Sequence, residues 1–183
     1  MARETEVHRK ILAYFFSFPE KSIGLNELSK AVKSSKTAVK NSVVKLIQED
    51  FLRKQEVGNA WQISMNQQNS YLTTKKIPYT LQMIYESGII SRINKKIPNA
   101  KVIILFGSYR WATDNQNSDI DIAVETLKNE KLKIETLEVL KQIGFRKNIK
   151  VNIHIFSRKN IDINLFTNIA NGIILDGLLE AKP

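Results

Sequence analysis

The chain has 183 residues, 43% of them hydrophobic and 25% charged, which is enough for one ordinary domain or two small ones and too apolar for a disordered protein. It contains no cysteine, so disulfides, zinc-thiolate sites and cysteine nucleophiles are excluded, and His8 and His154 are its only imidazoles. A net charge of +10 favours polyanionic partners such as nucleic acid, nucleotides or an acidic protein.

No apolar run approaches the roughly 18 residues of a membrane span, and the N-terminus lacks the pattern of a secretory signal. A cytoplasmic protein without a membrane partner is therefore expected. The basic excess divides evenly, +5 on either side of Lys75, but residues 28–48 hold five lysines and no acid.

In chain order, Val7, Ile11, Leu12, Phe15 and Phe16 fall at helical spacing and Phe18-Pro19 ends that helix. Ile23-Gly24-Leu25 reads as a short extended piece, and Asn26 is placed to cap a helix from Glu27 to about Val32. Ser35 caps a longer helix to about Asp50, with Val39, Val43, Leu46 and Ile47 on one stripe. Two short strands, 51–55 and 60–64, flank Val57-Gly58-Asn59, which suits a tight hairpin. Residues 67–76 are polar and aperiodic, so they are assigned as a linker between a domain at 1–66 and another at 77–183.

In the second domain Pro78 suits the first turn of a helix running to about Pro98. A strand from Lys101 to Phe106, a strand from Ile120 to Val124, an amphipathic helix from Lys128 to Ile143, a strand from Ile149 to Phe156 and a helix from Ile161 to Ala170 follow, with Asp162 as its cap. The fold class expected is α+β: an α/β layer built on a mixed sheet with flanking helices, preceded by the small helical domain.

A basic helix after a shorter helix and a turn is the arrangement that enters the major groove of DNA. Lys36 and Lys40 are placed to neutralise phosphates, and Thr37 and Asn41 have the size and chemistry to reach base edges. Residues 5–64 thus resemble a winged helix-turn-helix, with Arg53 and Lys54 at the wing. The alternative is a solvated lysine face that serves protein contact or homodimer formation.

The chemistry-bearing pattern lies at 102–124. A dense apolar strand runs into Gly107-Ser108, and twelve residues after Gly107 a second strand carries Asp119 and Asp121. Alternation puts the two carboxylates on one strand face, where they repel unless solvated or bridged by a cation. Hard divalent cations take such oxygen ligands and leave positions open for phosphate. A glycine after the strand lets backbone N–H groups and the Ser108 hydroxyl approach a triphosphate, and a helix starting there would add its dipole.

This combination resembles the signature of the polymerase-beta-like nucleotidyltransferase superfamily in its minimal form, over about residues 77–180. The resemblance implies that Gly107 and Ser108 bind nucleotide phosphates, that Asp119 and Asp121 are catalytic and bind Mg2+ or Mn2+, and that a nucleoside triphosphate is substrate or ligand. The family pattern has a small residue and a glycine after Gly-Ser, where this chain has Arg110 and Ala112. The third carboxylate of active relatives matches Asn152, which supplies neither charge nor base, and His154 shares its strand face. Asp114, in the intervening loop, is expected to be solvated, and His8 has no partner legible in sequence.

Three functions remain open on these grounds. The first is a metal-dependent enzyme that moves a nucleoside monophosphate to an unknown acceptor, coupled to DNA binding. The second is a catalytically weak or inactive DNA-binding regulator that senses nucleotide. The third, implied by the resemblance to minimal nucleotidyltransferases, is an antitoxin-type protein with a helical toxin-like partner.

Overall fold

The computed structural model describes residues 5–70, 72–127 and 131–180, and divides into two compact units, Met1–Lys76 and Ile77–Pro183. In the first unit Thr5 caps α1 (Glu6–Ser17), its Oγ1 accepting from the His8 N–H at 3.2 Å. A two-residue strand β1 (Ile23–Gly24) leads into α2 (Leu25–Ala31), and Ser35 caps α3 (Lys36–Gln48) by accepting from the Ala38 N–H at 3.3 Å. The hairpin β2 (Leu52–Val57) and β3 (Ala60–Met65) turns at Gly58, whose φ of 58° is the left-handed conformation that such a turn demands.

The three strands pair antiparallel in the order β1-β3-β2. Helix, strand, two helices and a hairpin, closed by that small sheet, make a winged helix. Ile11, Phe15, Leu28, Val39, Val43, Leu46 and Ile63 are wholly buried, so the apolar stripes of α1 and α3 face inward and the α3 lysines face out. The expected cap at Asn26 is corrected: α2 starts two residues earlier, behind Gly24, and no side chain caps it.

The second unit is a five-stranded mixed sheet in the order β6-β7-β5-β4-β8. Its strands are β4 (Ala100–Phe106), β5 (Ile120–Thr126), β6 (Lys133–Ile143), β7 (Arg146–Phe156) and β8 (Ile173–Gly177). Only β5 and β7 run parallel; the other neighbours are antiparallel. Because side chains alternate, Ile103 and Leu105 of β4, Ile120, Ile122 and Val124 of β5, and Val151 and Ile153 of β7 share one face. That face is covered by Ile84 of α4 (Leu72–Ser87) and by Ile89 and Ile93 of α5 (Ile89–Lys96). The opposite face carries Val102, Ile104, Phe106, Ala123 and Phe156, and packs on Ile169 of α7 (Ile163–Ala170). A four-residue helix, α6 (Ser108–Trp111), follows β4.

Several expectations need correction. The helix assigned to Lys128–Ile143 is the edge strand β6 from Lys133 on; residues 128–130 lie outside the described residues. Leu137, Leu140 and Ile143 all pack on the core at intervals of three, and a register shift between Thr136 and Glu138 leaves Leu137 as a bulge. That spacing imitates a helix. Residues 72–76, assigned to the linker, belong to α4, and Pro78 lies inside this helix rather than in its first turn. The single helix expected as far as Pro98 breaks at Gly88, whose φ is 76°. Strand β8 had no assignment, and α7 begins at Ile163 with Asp162 as the expected cap, its Oδ1 accepting from the N–H groups of Asn164 and Leu165. Among the described residues no helix is long and apolar enough to cross a membrane.

Ile153, fully buried on β7, the strand parallel to the central β5, reports on this core. Ile153→Ala should lower unfolding stability by about 2–5 kcal/mol in urea titrations followed by circular dichroism.

Candidate functional site

The site is built at one end of β4, β5 and β7. Strand β4 ends at Phe106, opposite Asp121 in the antiparallel ladder, and the chain leaves it through Gly107 at φ 71° and ψ −153°, a conformation reserved for glycine. A Cβ at this position would stand 3.3 Å from Asp121 Oδ2. The turn backbone and the carboxylate therefore lie close together, and a side chain here would press on Asp121. Ser108 opens α6, and its hydroxyl makes no hydrogen bond among the described residues. At four residues, α6 is too short to add the full dipole expected of a helix at this point.

Asp119 lies just before β5 and Asp121 within it, on the face opposite Ile120 and Ile122. The parallel register sets Asp121 beside Asn152 and Ala123 beside His154. Asn152 donates from Nδ2 to Asp119 Oδ2 at 3.3 Å, and its Oδ1 accepts from the Thr136 hydroxyl at 3.1 Å. His154 Nε2 is 3.3 Å from Asp121 Oδ1, and the ring packs edge-on against Phe106 at 4.9 Å between centroids. Each aspartate thus has a hydrogen-bonding neighbour on β7, which eases the repulsion between them.

Two carboxylates on one face suit a hard divalent cation, with the remaining ligands to come from phosphate oxygens and water. Among the described residues no group of three or more histidines or acids is placed to hold a metal.

The ten residues between Ser108 and Asp119 hold further detail. Ala112 has φ 58°, a left-handed conformation that explains why a glycine suits this position. Arg110 does not reach into the site: its Nε donates to the Asn171 carbonyl at 2.9 Å and its guanidinium stacks on Trp111. Asp114, expected in solvent, is buried. Tyr109 is buried as well, and desolvation, with the carboxylates of Asp114 and Asp119 adding to it against Arg146, pushes its phenol far above its ordinary range. It stays protonated at any physiological pH. Arg146 donates to the Tyr109 hydroxyl and to the Ser118 carbonyl. Sequence reasoning passed over both, because an arginine after a hairpin turn and a tyrosine after Gly-Ser carry no local signature.

In the first unit Lys36, Thr37, Lys40 and Asn41 are exposed on one face of α3. A cleft of about 520 Å³ beside them is lined by Glu27, Lys36, Lys40, Asn59, Trp61 and Gln62, among others. Trp61, which the sequence did not single out, has the Lys40 Nζ 5.3 Å and the Lys54 Nζ 4.5 Å from its ring centroid. At the wing Lys54 also pairs with Glu56 at 2.7 Å, and Arg53 donates to Gln68 at 2.9 Å. His8, buried under α3, lies 3.6 Å from Glu49, so it does have a partner.

Residues 88–176, which include the turn, both aspartates and β7, match the family of polymerase beta nucleotidyltransferases. The match lies within the second unit and covers most of it. A stretch of 52 residues of the chain, 27% of it, is 46% identical to the protein adenylyltransferase MntA of Shewanella oneidensis. The match spans 37% of that relative, little more than a third of its length. The crystal structure of the adhesin competence repressor AdcR from Streptococcus pyogenes aligns with 52% of this chain and 69% of its own at 15% identity, with a TM-score of 0.39.

Within the second unit Ala112 tests the turn directly. Ala112→Gly should raise unfolding stability by up to about 1 kcal/mol, since glycine tolerates the left-handed conformation, as read by the urea midpoint.

Proposed function

We propose that the second unit transfers a nucleoside monophosphate from a nucleoside triphosphate to a hydroxyl acceptor, and that the first unit binds DNA. The observation that carries the first part is the contact between the Gly107 turn and Asp121, which sets phosphate-binding backbone against a cation-binding carboxylate. In this reading the turn and the Ser108 hydroxyl hold the β- and γ-phosphates. Asp119 and Asp121 hold a divalent cation, Mg2+ or Mn2+, which supplies charge neutralisation at the reacting phosphate. The acceptor oxygen bonds to the α-phosphorus, the bond from that phosphorus to the bridging oxygen breaks, and pyrophosphate leaves while the acceptor proton passes to a base. His154, 3.3 Å from Asp121, is the nearest imidazole for that proton. ATP is the first donor to test, because the MntA relative is named an adenylyltransferase and a protein is its named acceptor class.

A second reading is favoured by Asn152. Its amide donates to Asp119 from the position paired with Asp121, and if it replaces the third carboxylate of active relatives it suits a nucleotide-responsive regulator with weak or absent transfer. Labelled nucleoside triphosphates incubated with Mg2+ or Mn2+ and candidate acceptors separate the two. Transfer that falls at least about 100-fold in Asp119→Asn and Asp121→Asn supports the enzyme. Nucleotide binding without transfer supports the regulator, and transfer that survives both substitutions sinks the assignment of the aspartates.

DNA binding rests on the exposed basic face of α3 beside the wing. Each neutralised phosphate contributes about 0.9 to the slope of log affinity against log salt. Lys36→Glu with Lys40→Glu should weaken binding at every sequence and reduce that slope by about 2, read by fluorescence anisotropy across a salt series. An unchanged slope would remove both lysines from the interface.

A further inference from the structure

We infer that Arg146 is a positioning residue for the transfer reaction, a single guanidinium that pins both ends of the ten-residue spacer between Ser108 and Asp119. The inference rests on the nucleotidyltransferase reading. The spacer begins at Tyr109 and ends at Ser118. Arg146 donates from Nη1 to the Tyr109 hydroxyl and from Nη2 to the Ser118 carbonyl, and its guanidinium lies 5.7 Å from the Tyr109 ring centroid. One end is the residue after the phosphate-binding serine; the other is the peptide group that leads into Asp119.

Local bonds shape each end of the spacer separately. Near the turn the Arg110 N–H donates to the Gly107 carbonyl at 3.1 Å and the Thr113 N–H to the Ser108 carbonyl at 3.0 Å. Near the aspartates the Asn115 N–H donates to Ser118 Oγ at 3.0 Å and the Ser118 N–H to the Asn115 carbonyl at 3.2 Å. Arg146 touches both ends, and it does so from the first position of β7, the strand that also carries Asn152 and His154. All three parts of the site are thereby referred to one rigid planar group.

Burying a cation is costly, and Arg146 is 8% exposed. Its two partners here are neutral oxygens, although Asp114 and Asp119 are near enough to act on the same Tyr109 phenol. An apolar side chain would fill this space without the desolvation penalty, but would not fix two separate oxygens at a set distance. Arginine presents its donors in a preorganised fork, whereas lysine is a point charge on a flexible stem. Arg146→Lys therefore keeps the charge and loses the geometry. Misplacing the reacting groups by about 1 Å costs on the order of 100-fold in rate.

The full chain is assayed for transfer from labelled ATP, as wild type, Arg146→Lys and Tyr109→Phe, with the folded fraction of each taken from thermal melts. The expected result is a fall in kcat of about 10- to 100-fold for Arg146→Lys, with KM for the nucleotide within about threefold, and a smaller fall in kcat for Tyr109→Phe, which removes one of the two anchors. An unchanged kcat per folded molecule, or a loss confined to KM, overturns the inference while the enzyme reading stands. If Arg146→Lys does not fold, Tyr109→Phe decides: unchanged kcat overturns the inference and a selective fall in kcat upholds it. No transfer by the wild type under any donor and metal refutes the enzyme reading and takes the positioning role with it.

Discussion

The two-residue repeat of β5 is the constraint on which the second unit depends. Ile120, Ile122 and Val124 must be buried against α4 and α5, and this fixes the register of the strand to the residue. Once those three point inward, Asp119 and Asp121 have no choice of face. The face the carboxylates occupy is thus set by the hydrophobic effect acting on their neighbours, and Asn152 and His154 add contacts from β7. A slip of one residue would bury two charges and expose the core, so the placement of the aspartates and the stability of the sheet are specified together.

The strands on either side complete this arrangement. β4 delivers the Gly107 turn opposite Asp121, and β7, parallel to β5, sets Asn152 and His154 alongside. A parallel neighbour is what brings Asn152, 31 positions on, into register with Asp121, with β6 as the antiparallel strand that returns the chain. From β7 the Asn152 amide donates to Asp119 and the His154 ring lies beside Asp121, which eases the repulsion between the two carboxylates.

Legibility in the sequence followed the range of the interactions. The motif itself, Gly107-Ser108 and Asp119-x-Asp121, is local and strand-borne, and alternation alone places its carboxylates. The caps at Ser35 and Asp162 are local too, and both are found. What escaped depends on contacts far apart in the chain. The bulge at Leu137 exists only against β7, and β6 keeps a spacing that a single strand would not show. Arg146 has meaning only once β7 is beside the spacer, and Asp114 is buried by a loop closure that no periodicity encodes. Gly88 ends α4 through a left-handed turn, while the apolar stripe runs on across it.

The bulge has a bearing on solubility. β6 lies at the edge of the sheet and is eleven residues long, with Val139 and Ile134 among its exposed side chains, which is the profile of a strand that invites another chain to pair with it. An inserted residue interrupts the even row of backbone donors and acceptors, and the exposed lysines Lys133 and Lys141 add charge on either side of it. The irregularity therefore makes β6 a poor template for self-association.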